Sequence, residues 1–585
     1  MTASVSADRV PLSSLFAFAD SDPEVVAGVE AALEGSAEFA VVWRPAAGWV
    51  AAAAPLPGSV PDSREVRESG LAFVEGRAAV LDAYPGGEGR AAVKTLARER
   101  PRQLASLPGD FGLVAFGPGG EATAVRSCGG LVPLHVFARR RRAAVASRVG
   151  DLVRYLPDEP RLEPLVWGIW AAGFGLRPWD RSFLVDTVAV PAGFAATFSP
   201  GRRIELVRYF EPRPDSWPRR PATAPTLEHA ERLRAALLDR LGTDLDPEGG
   251  NLLTLSGGVD SSCVGALAGG TLGRRLSSVS FVPPEGDPTR ERELGYIRSL
   301  GERFGFERQW ILPLDRDARY QLALEAPRVC VPVLHPALCV LPRLTAEADV
   351  RVLVGGEYAD EVCGSLLTVP DWAAVTGPAG LARGLPTGPK DLLRWAAWRV
   401  LWRLRRPRIS WPAQLPGFVA PLVREEYHQW RSERLRQACE EPAPWRFLTL
   451  WSDHDGWLTM NWEVTSSVGV RRSIPFRARP VLELAYECHP AELVGPGTKR
   501  LLREALAGDV PARHLGRSDK GHWTRSGSSA PQVDWHTVIP EPLDGVLDPA
   551  WVSREQLPAH EAAALANVCI AASGVQARRA LARAQ

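Results

Sequence analysis

Apolar and polar positions follow one rhythm up to about residue 210 and another after about residue 226. In the first stretch short apolar runs are cut by Gly and Pro. Phe39 to Trp43, Gly112 to Phe116, Ala122 to Arg126 and Ala144 to Ser147 read as β-strands. Glu211 to Pro225, EPRPDSWPRRPATAP, holds five prolines, which suit neither a helix nor a central strand, and it reads as a linker. Beyond it, Thr226 to Leu241 has Leu and Ala at helical spacing, and Asn251 to Leu255 is a short buried-strand run. From Ser262 the pattern is helical again. Leu276 to Val282 predicts a second strand, Leu294 to Phe304 a second helix and Val350 to Val354 a third strand. Strands alternating with helices predict a parallel sheet covered on both faces, hence an α/β fold. The division predicted is residues 1–212, a linker at 213–225, and 226–585.

Composition narrows the classes. The chain has 585 residues, 45% hydrophobic and 23% charged, as a soluble globular protein of two or three domains would. Lys+Arg number 69 against Asp+Glu 68, so no bulk charge favours nucleic acid or an acidic membrane. Eight scattered cysteines with no C-x-x-C pair read as reduced thiols. The start, MTASVSADRVPLSS, lacks the pattern of a signal peptide, and Leu165 to Leu176 is too short to span a bilayer; the expected location is the cytoplasm.

The chemistry gathers where strands end. Leu253 to Val264, LTLSGGVDSSCV, runs from a strand through Gly257 and Gly258 into a helix. Glycines permit close backbone approach, and a helix start offers unpaired N–H groups and a positive dipole end, which suits a polyphosphate. It is not a Walker A loop. Asp260, an acid beside such a cradle, makes sense if a divalent cation lies between it and the phosphates. After the third strand comes Gly355 to Glu361, GGEYADE, a second acid-bearing Gly bend at the same sheet edge, with Asp360 as a second metal-facing carboxylate and Glu357 within reach of a substrate. Asp391 to Arg408 places Trp395, Trp398 and Trp402 at helical spacing among arginines. It reads either as an amphipathic helix with a tryptophan core face or as a docking face for a peptide or protein. His335 and His454 have no ligand-like companions and read as structural or pocket-lining.

These motifs resemble a known family. LSGGVDSS is similar to the pyrophosphatase loop of N-type ATP pyrophosphatases, and GGEYADEVCG to the corresponding element of asparagine synthetases and their relatives. SIPFRARPVLELAYECHP and GTKRLLREALAGDVPARHLGRSDKGHW resemble later segments of that family, in order, over most of residues 226 to 525. More weakly, LASLPGDFGLVAFGPGGEATAVRSCGGLVPLHVF and AVASRVGDL resemble the family's glutaminase domain. The resemblance therefore implies a degenerate Ntn-type glutaminase domain, an α+β sandwich, followed by a parallel-sheet ATP-pyrophosphatase synthetase domain. Thr2 stands where the amidotransferase needs cysteine, and the elements that grip glutamine are missing, so glutamine is not the expected nitrogen donor.

What the resemblance implies is an ATP- and Mg2+-dependent amide ligase that adenylates a carboxylate. Leu255, Ser256, Gly257, Gly258, Val259, Asp260, Ser261 and Ser262 would cradle the pyrophosphate, with Gly355 and Gly356 in the second bend. Backbone at Val279, Ser280 and Phe281 would meet adenine, and Asp260 and Asp360 would hold magnesium. Glu357 takes the position of the carboxylate base and Lys520 that of the late lysine. Tyr358 replaces a small residue, and Arg471-Arg472 departs from the synthetase pattern in a way that disfavours free aspartate. Among relatives without glutamine use, Glu357 disfavours the β-lactam synthetases and favours lasso-peptide macrolactam synthetases. The expected substrate is then a precursor peptide, with a separate leader-recognition protein and a leader peptidase as partners. A small-molecule synthetase and an inactive peptide-binding scaffold remain as alternatives.

Overall fold

The computed structural model describes residues 12–55, 71–75, 103–104, 109–211, 227–314, 316–364, 413–441, 455–493, 499–517, 540–548 and 559–584. Thr2, the proline-rich stretch from residue 212, the Trp/Arg-rich segment 391–408, His454 and Lys520 lie outside the described residues.

The first part forms antiparallel strands: β1 (Leu12–Asp20), β2 (Val41–Trp43), β3 (Trp49–Pro55), β4 (Leu71–Glu75), β5 (Phe111–Phe116), β6 (Ala122–Arg126), β7 (His135–Arg139), β8 (Arg142–Ala146), β9 (Thr187–Ala189), β10 (Phe194–Phe198) and β11 (Glu205–Arg208). They build a six-stranded sheet in the order β2-β3-β1-β8-β7-β9 and a five-stranded sheet in the order β11-β10-β6-β5-β4. Alternation along the strands sorts the side chains. Leu15, Ala17 and Ala19 of β1 face Val114, Phe116 and Ala124 of the second sheet across a common core. Phe16 and Phe18 turn the other way, into a core shared with Leu152, Trp167 and Trp170 of the helices Val149–Tyr155 and Pro164–Ala171. The apolar stretch at Leu165 is thus a buried helix of the sandwich. No helix among the described residues is long and apolar enough to cross a membrane.

The outer face of the second sheet (Phe111, Leu113, Ala115) packs into the same core as Leu233, Leu237 and Leu241 of the helix Leu227–Asp244. Next come β12 (Asn251–Thr254), β13 (Leu276–Val282), β14 (Gln309–Pro313), β15 (Val352–Val354) and β16 (Arg471–Ser473). Their order is β14-β13-β12-β15-β16, with every pair parallel. Leu252, Leu253 and all of β15 are buried, as central strands covered on both faces require. The first three strands proceed to one side and the last two to the other, so the direction of winding reverses between β12 and β15. That is where an open parallel sheet leaves a crevice at its carboxyl edge. Register aligns the two exits: Leu253 pairs with Val354, and Thr254 with Val279.

Candidate active site

The bend after β12 has one left-handed step, which glycine takes without strain, and several internal hydrogen bonds. Gly257 takes a φ of 68°, and a Cβ there would come within 2.8 Å of Tyr296 Cβ. The Ser256 amide donates to Ser261 Oγ at 3.1 Å, and the Gly258 amide to Ser256 Oγ at 3.3 Å. Buried Arg517 secures the bend from outside. It donates to the Gly257 carbonyl at 3.0 Å and to both Glu293 oxygens at 2.8 Å, and lies 4.5 Å from the Tyr296 ring centre. The helix Val259–Gly265 follows, carrying Asp260 in its first turn.

The second bend meets the first at van der Waals limits. A Cβ on Gly356 would lie 2.8 Å from Asp260 Cβ and from the Ser261 amide nitrogen. Only glycine fits, and through that contact the acids of the two bends become neighbours. Lys499 lies between them. Its Nζ donates to both oxygens of Asp260 and stands 2.9 Å from Asp360 Oδ1. Burial opposes its charge, but Asp260 and Asp360 outweigh burial and raise its pKa above the ordinary lysine value. Glu361, beside Asp360, is pushed up to about 7 by burial and by the Asp360 charge.

Glu357 has a different partner. Arg472 of β16, its side chain 1% exposed, donates through Nη2 to Glu357 Oε1. The same guanidinium donates to Asn461 Oδ1 at 2.7 Å and to the Leu353 carbonyl at 2.8 Å. His335 Nε2 lies 3.8 Å from Glu357 Oε1, and its Nδ1 accepts from the Ala337 amide at 3.3 Å, capping the helix Pro336–Glu347. Burial alone would raise the Glu357 carboxyl; Arg472, His335 and hydrogen bonds outweigh burial and hold it below its ordinary value of 4.5. Burial lowers the His335 imidazole below its ordinary value, with Glu357 acting in the opposite direction. Glu357 Oε2 is buried with no hydrogen-bond partner among the described residues.

Several of these groups, though not Lys499 or Arg472, line a cavity of about 550 Å³ at the carboxyl edge of the sheet. Leu255, Ser256, Asp260, Ser261, Val279, Phe281, Gly356, Glu357 and Asp360 line it, as the sequence suggested, together with Tyr358. Gly257, Gly258, Val259, Ser262, Ser280 and Gly355 do not. Ser262 Oγ and Ser280 Oγ point into protein instead, buried and without hydrogen-bond partners among the described residues. Sequence reading gave no role to Lys499, Arg517, Asn461 or Trp457. Lys499 and Arg517 sit inside the quoted GTKRLLREALAGDVPARHLGRSDK segment, which was the available signal. Arg472 lies behind Glu357, off the cavity wall, so its effect on a substrate passes through Glu357. Tyr358, at a φ of 67°, is buried with its ring 4.8 Å from the Arg477 guanidinium, while Arg477 donates to the Gly129 carbonyl of the sandwich at 2.8 Å.

The donors fit a magnesium nucleotide. Two carboxylates already converge on one cation, their oxygens are the hard ligands magnesium takes, and the glycine approach at Gly356 keeps them together.

A family model described as "Asparagine synthase" matches residues 231–538, just over half of the chain. No curated protein matches. Among solved structures, one titled "Structure of the allosteric regulatory enzyme of purine biosynthesis" is similar at 11% identity, over 51% of this chain and 80% of that one, with a TM-score of 0.22. So distant a likeness assigns no fold.

Proposed function

The chain belongs to the asparagine synthase family, and from that premise we propose that it is an ATP-dependent, AMP-forming ligase that closes a macrolactam ring on a precursor peptide, as a lasso-peptide cyclase does. An Asp or Glu side-chain oxygen of the peptide attacks the α-phosphorus of ATP. The bond from that phosphorus to the bridging oxygen breaks, and pyrophosphate leaves. The peptide's N-terminal amine then attacks the acyl carbon, AMP leaves, and one proton is released. The observation that carries this reading is the meeting of two acid-bearing bends at the reversal of the parallel sheet, beside an anionic Glu357.

Each residue has a role in this scheme. The Ser256–Ser261 bend orients the phosphates, and Val279 and Phe281 form the wall for adenine. Asp260 and Asp360 would hold magnesium, which supplies neutralising charge to the phosphates. Lys520 takes the role of the late family lysine. Glu357, kept ionised by Arg472, accepts a hydrogen bond from the incoming N-terminal amine and orients its lone pair toward the acyl carbon. That pairing weakens it as a proton acceptor and strengthens it as an anchor. The first part of the chain is an Ntn-type fold retained without glutaminase activity. Glu357, which disfavours the β-lactam synthetases, and the His335–Trp457 contact on the cavity wall support a peptide over a small amino acid, while Thr2 in place of cysteine argues only against glutamine as nitrogen donor. A leader-recognition protein and a leader peptidase complete the proposed pathway.

Pyrophosphate release from ATP by the full chain, with a core peptide carrying a free N-terminus and an acidic residue, tests this reading. Release with the peptide, and none with aspartate plus ammonia, is the expected result. The reverse outcome would replace the cyclase by a small-molecule synthetase. No release with retained peptide binding would make the chain a scaffold.

A further inference from the structure

We propose that Lys499 is a built-in substitute for the metal: it holds the Asp260–Asp360 pair together in the nucleotide-free protein, so that the pair takes a divalent ion readily together with ATP and only weakly alone. This inference rests on the ligase reading for the identity of the nucleotide.

Three observations carry it. First, one ammonium contacts both oxygens of Asp260 and, at 2.9 Å, Asp360. Two carboxylates brought this near would repel one another by several kcal/mol at an effective dielectric of about 20, and a cation between them removes that penalty. Second, Lys499 is 4% exposed, so its charge is committed to this pair rather than to solvent. Third, the backbone is bent to put it there. Lys499 has a φ of 60° with a side chain to accommodate, a left-handed conformation that persists only where the surroundings impose it. Its amide donates at 3.1 Å to the carbonyl of Gly364, just after the second bend. Gly364 in turn lies so close to Leu493 that a Cβ would approach its backbone oxygen to 2.9 Å. The ammonium is therefore aimed at Asp360 and Asp260 by the segment that the second bend itself leads into.

An ammonium and a divalent ion cannot occupy the same oxygens. A metal entering alone must displace the ammonium from both carboxylates and so remove most of the negative charge that compensates it, which is costly. A metal arriving with triphosphate brings the negative charge that the displaced ammonium needs. Metal and nucleotide binding are thereby coupled, each strengthening the other. Lys499 is a positioning residue in this account.

Mn2+ binding to the full-length protein without nucleotide, read by electron paramagnetic resonance, tests the idea. Wild type should bind Mn2+ weakly at this site. Lys499→Met should bind it about tenfold more tightly or better, since a competing charge is removed. Lys499→Arg should stay as weak as wild type, and adding Asp360→Asn to the Met variant should abolish the gain. Lys499→Gln provides the same reading if the Met variant fails to fold. A folded Met or Gln variant with Mn2+ affinity no higher than wild type overturns the proposal. The two readings fail separately: nucleotide binding without the Mn2+ gain removes the lysine's role alone, whereas the Mn2+ gain without any nucleotide binding removes the ligase reading alone.

Discussion

The antiparallel sandwich and the carboxyl edge of the parallel sheet both hold charged groups away from water, but their partners differ. In the sandwich, and where the helix Asp455–Ser467 meets it, buried Arg126, Arg177 and Asp151 meet fixed protein groups. Arg126 and Arg177, with side chains at 0% exposure, share Asp455 and donate to backbone carbonyls. Asp151 accepts from Arg148 at 2.8 Å and from Ser14. At the sheet edge, Asp260 and Asp360 remain 23% and 27% exposed, face a cavity and share one long, flexible ammonium. The first arrangement fixes a shape. The second leaves its carboxylates facing a cavity, the arrangement that our proposal of an exchangeable cation requires.

Four substitutions sharpen that contrast. The largest effect is expected from Asp260→Asn, which should lower ATP-dependent pyrophosphate release about 10³-fold while leaving the thermal midpoint near wild type. Loss of stability with turnover retained would assign Asp260 to the scaffold. Asp455→Asn should do the opposite. It leaves two buried guanidiniums without their anion and should cost about 3 kcal/mol in denaturant unfolding. A neutral outcome would mean that the sandwich charges are not committed as described. Gly356→Ala comes next. Its Cβ must push the two bends apart, so turnover should fall at least about tenfold, with a smaller loss of stability. Unchanged turnover would show that the close approach is incidental.

The smallest effect is a pH dependence. The folded-state pKa of Glu357 lies below 4.5, so its pairing adds stability that is fully present above pH 4.5 and is lost as pH falls through the folded pKa. The stability gap between wild type and Glu357→Gln should therefore be full at neutral pH and close on acidification below pH 4.5. A gap that widens on acidification would mean that Arg472 does not hold the carboxylate.

Local pattern revealed part of this arrangement. Leu276 to Val282 and Ala122 to Arg126 are strands with the bounds the sequence suggests, and the bends at Gly257 and Gly355 announce themselves by glycine and acid at strand ends. β1 escaped because both of its faces are buried, so LSSLFAFAD shows no alternation of polar and apolar residues. β14 ends in Pro313 and is only half buried, as suits a sheet edge, and its pattern is correspondingly faint. β16 reads RRS, three polar residues that become a strand because Arg472 finds Glu357, Asn461 and a carbonyl in three other segments. The same limit hid the pairing of Lys499. Its partners lie 239 and 139 positions away in sequence, and nothing local connects a lysine to two distant acids.

The central claim is that Asp260 and Asp360 serve one cation. Calorimetric binding of a magnesium complex of a non-hydrolysable ATP analogue, with Asp260→Asn, Asp360→Asn and the double variant, tests it most directly. If both acids hold the same ion, either substitution removes the site, and the double variant should bind no more weakly than the worse single one. Losses that multiply across the two substitutions would mean that the carboxylates act independently.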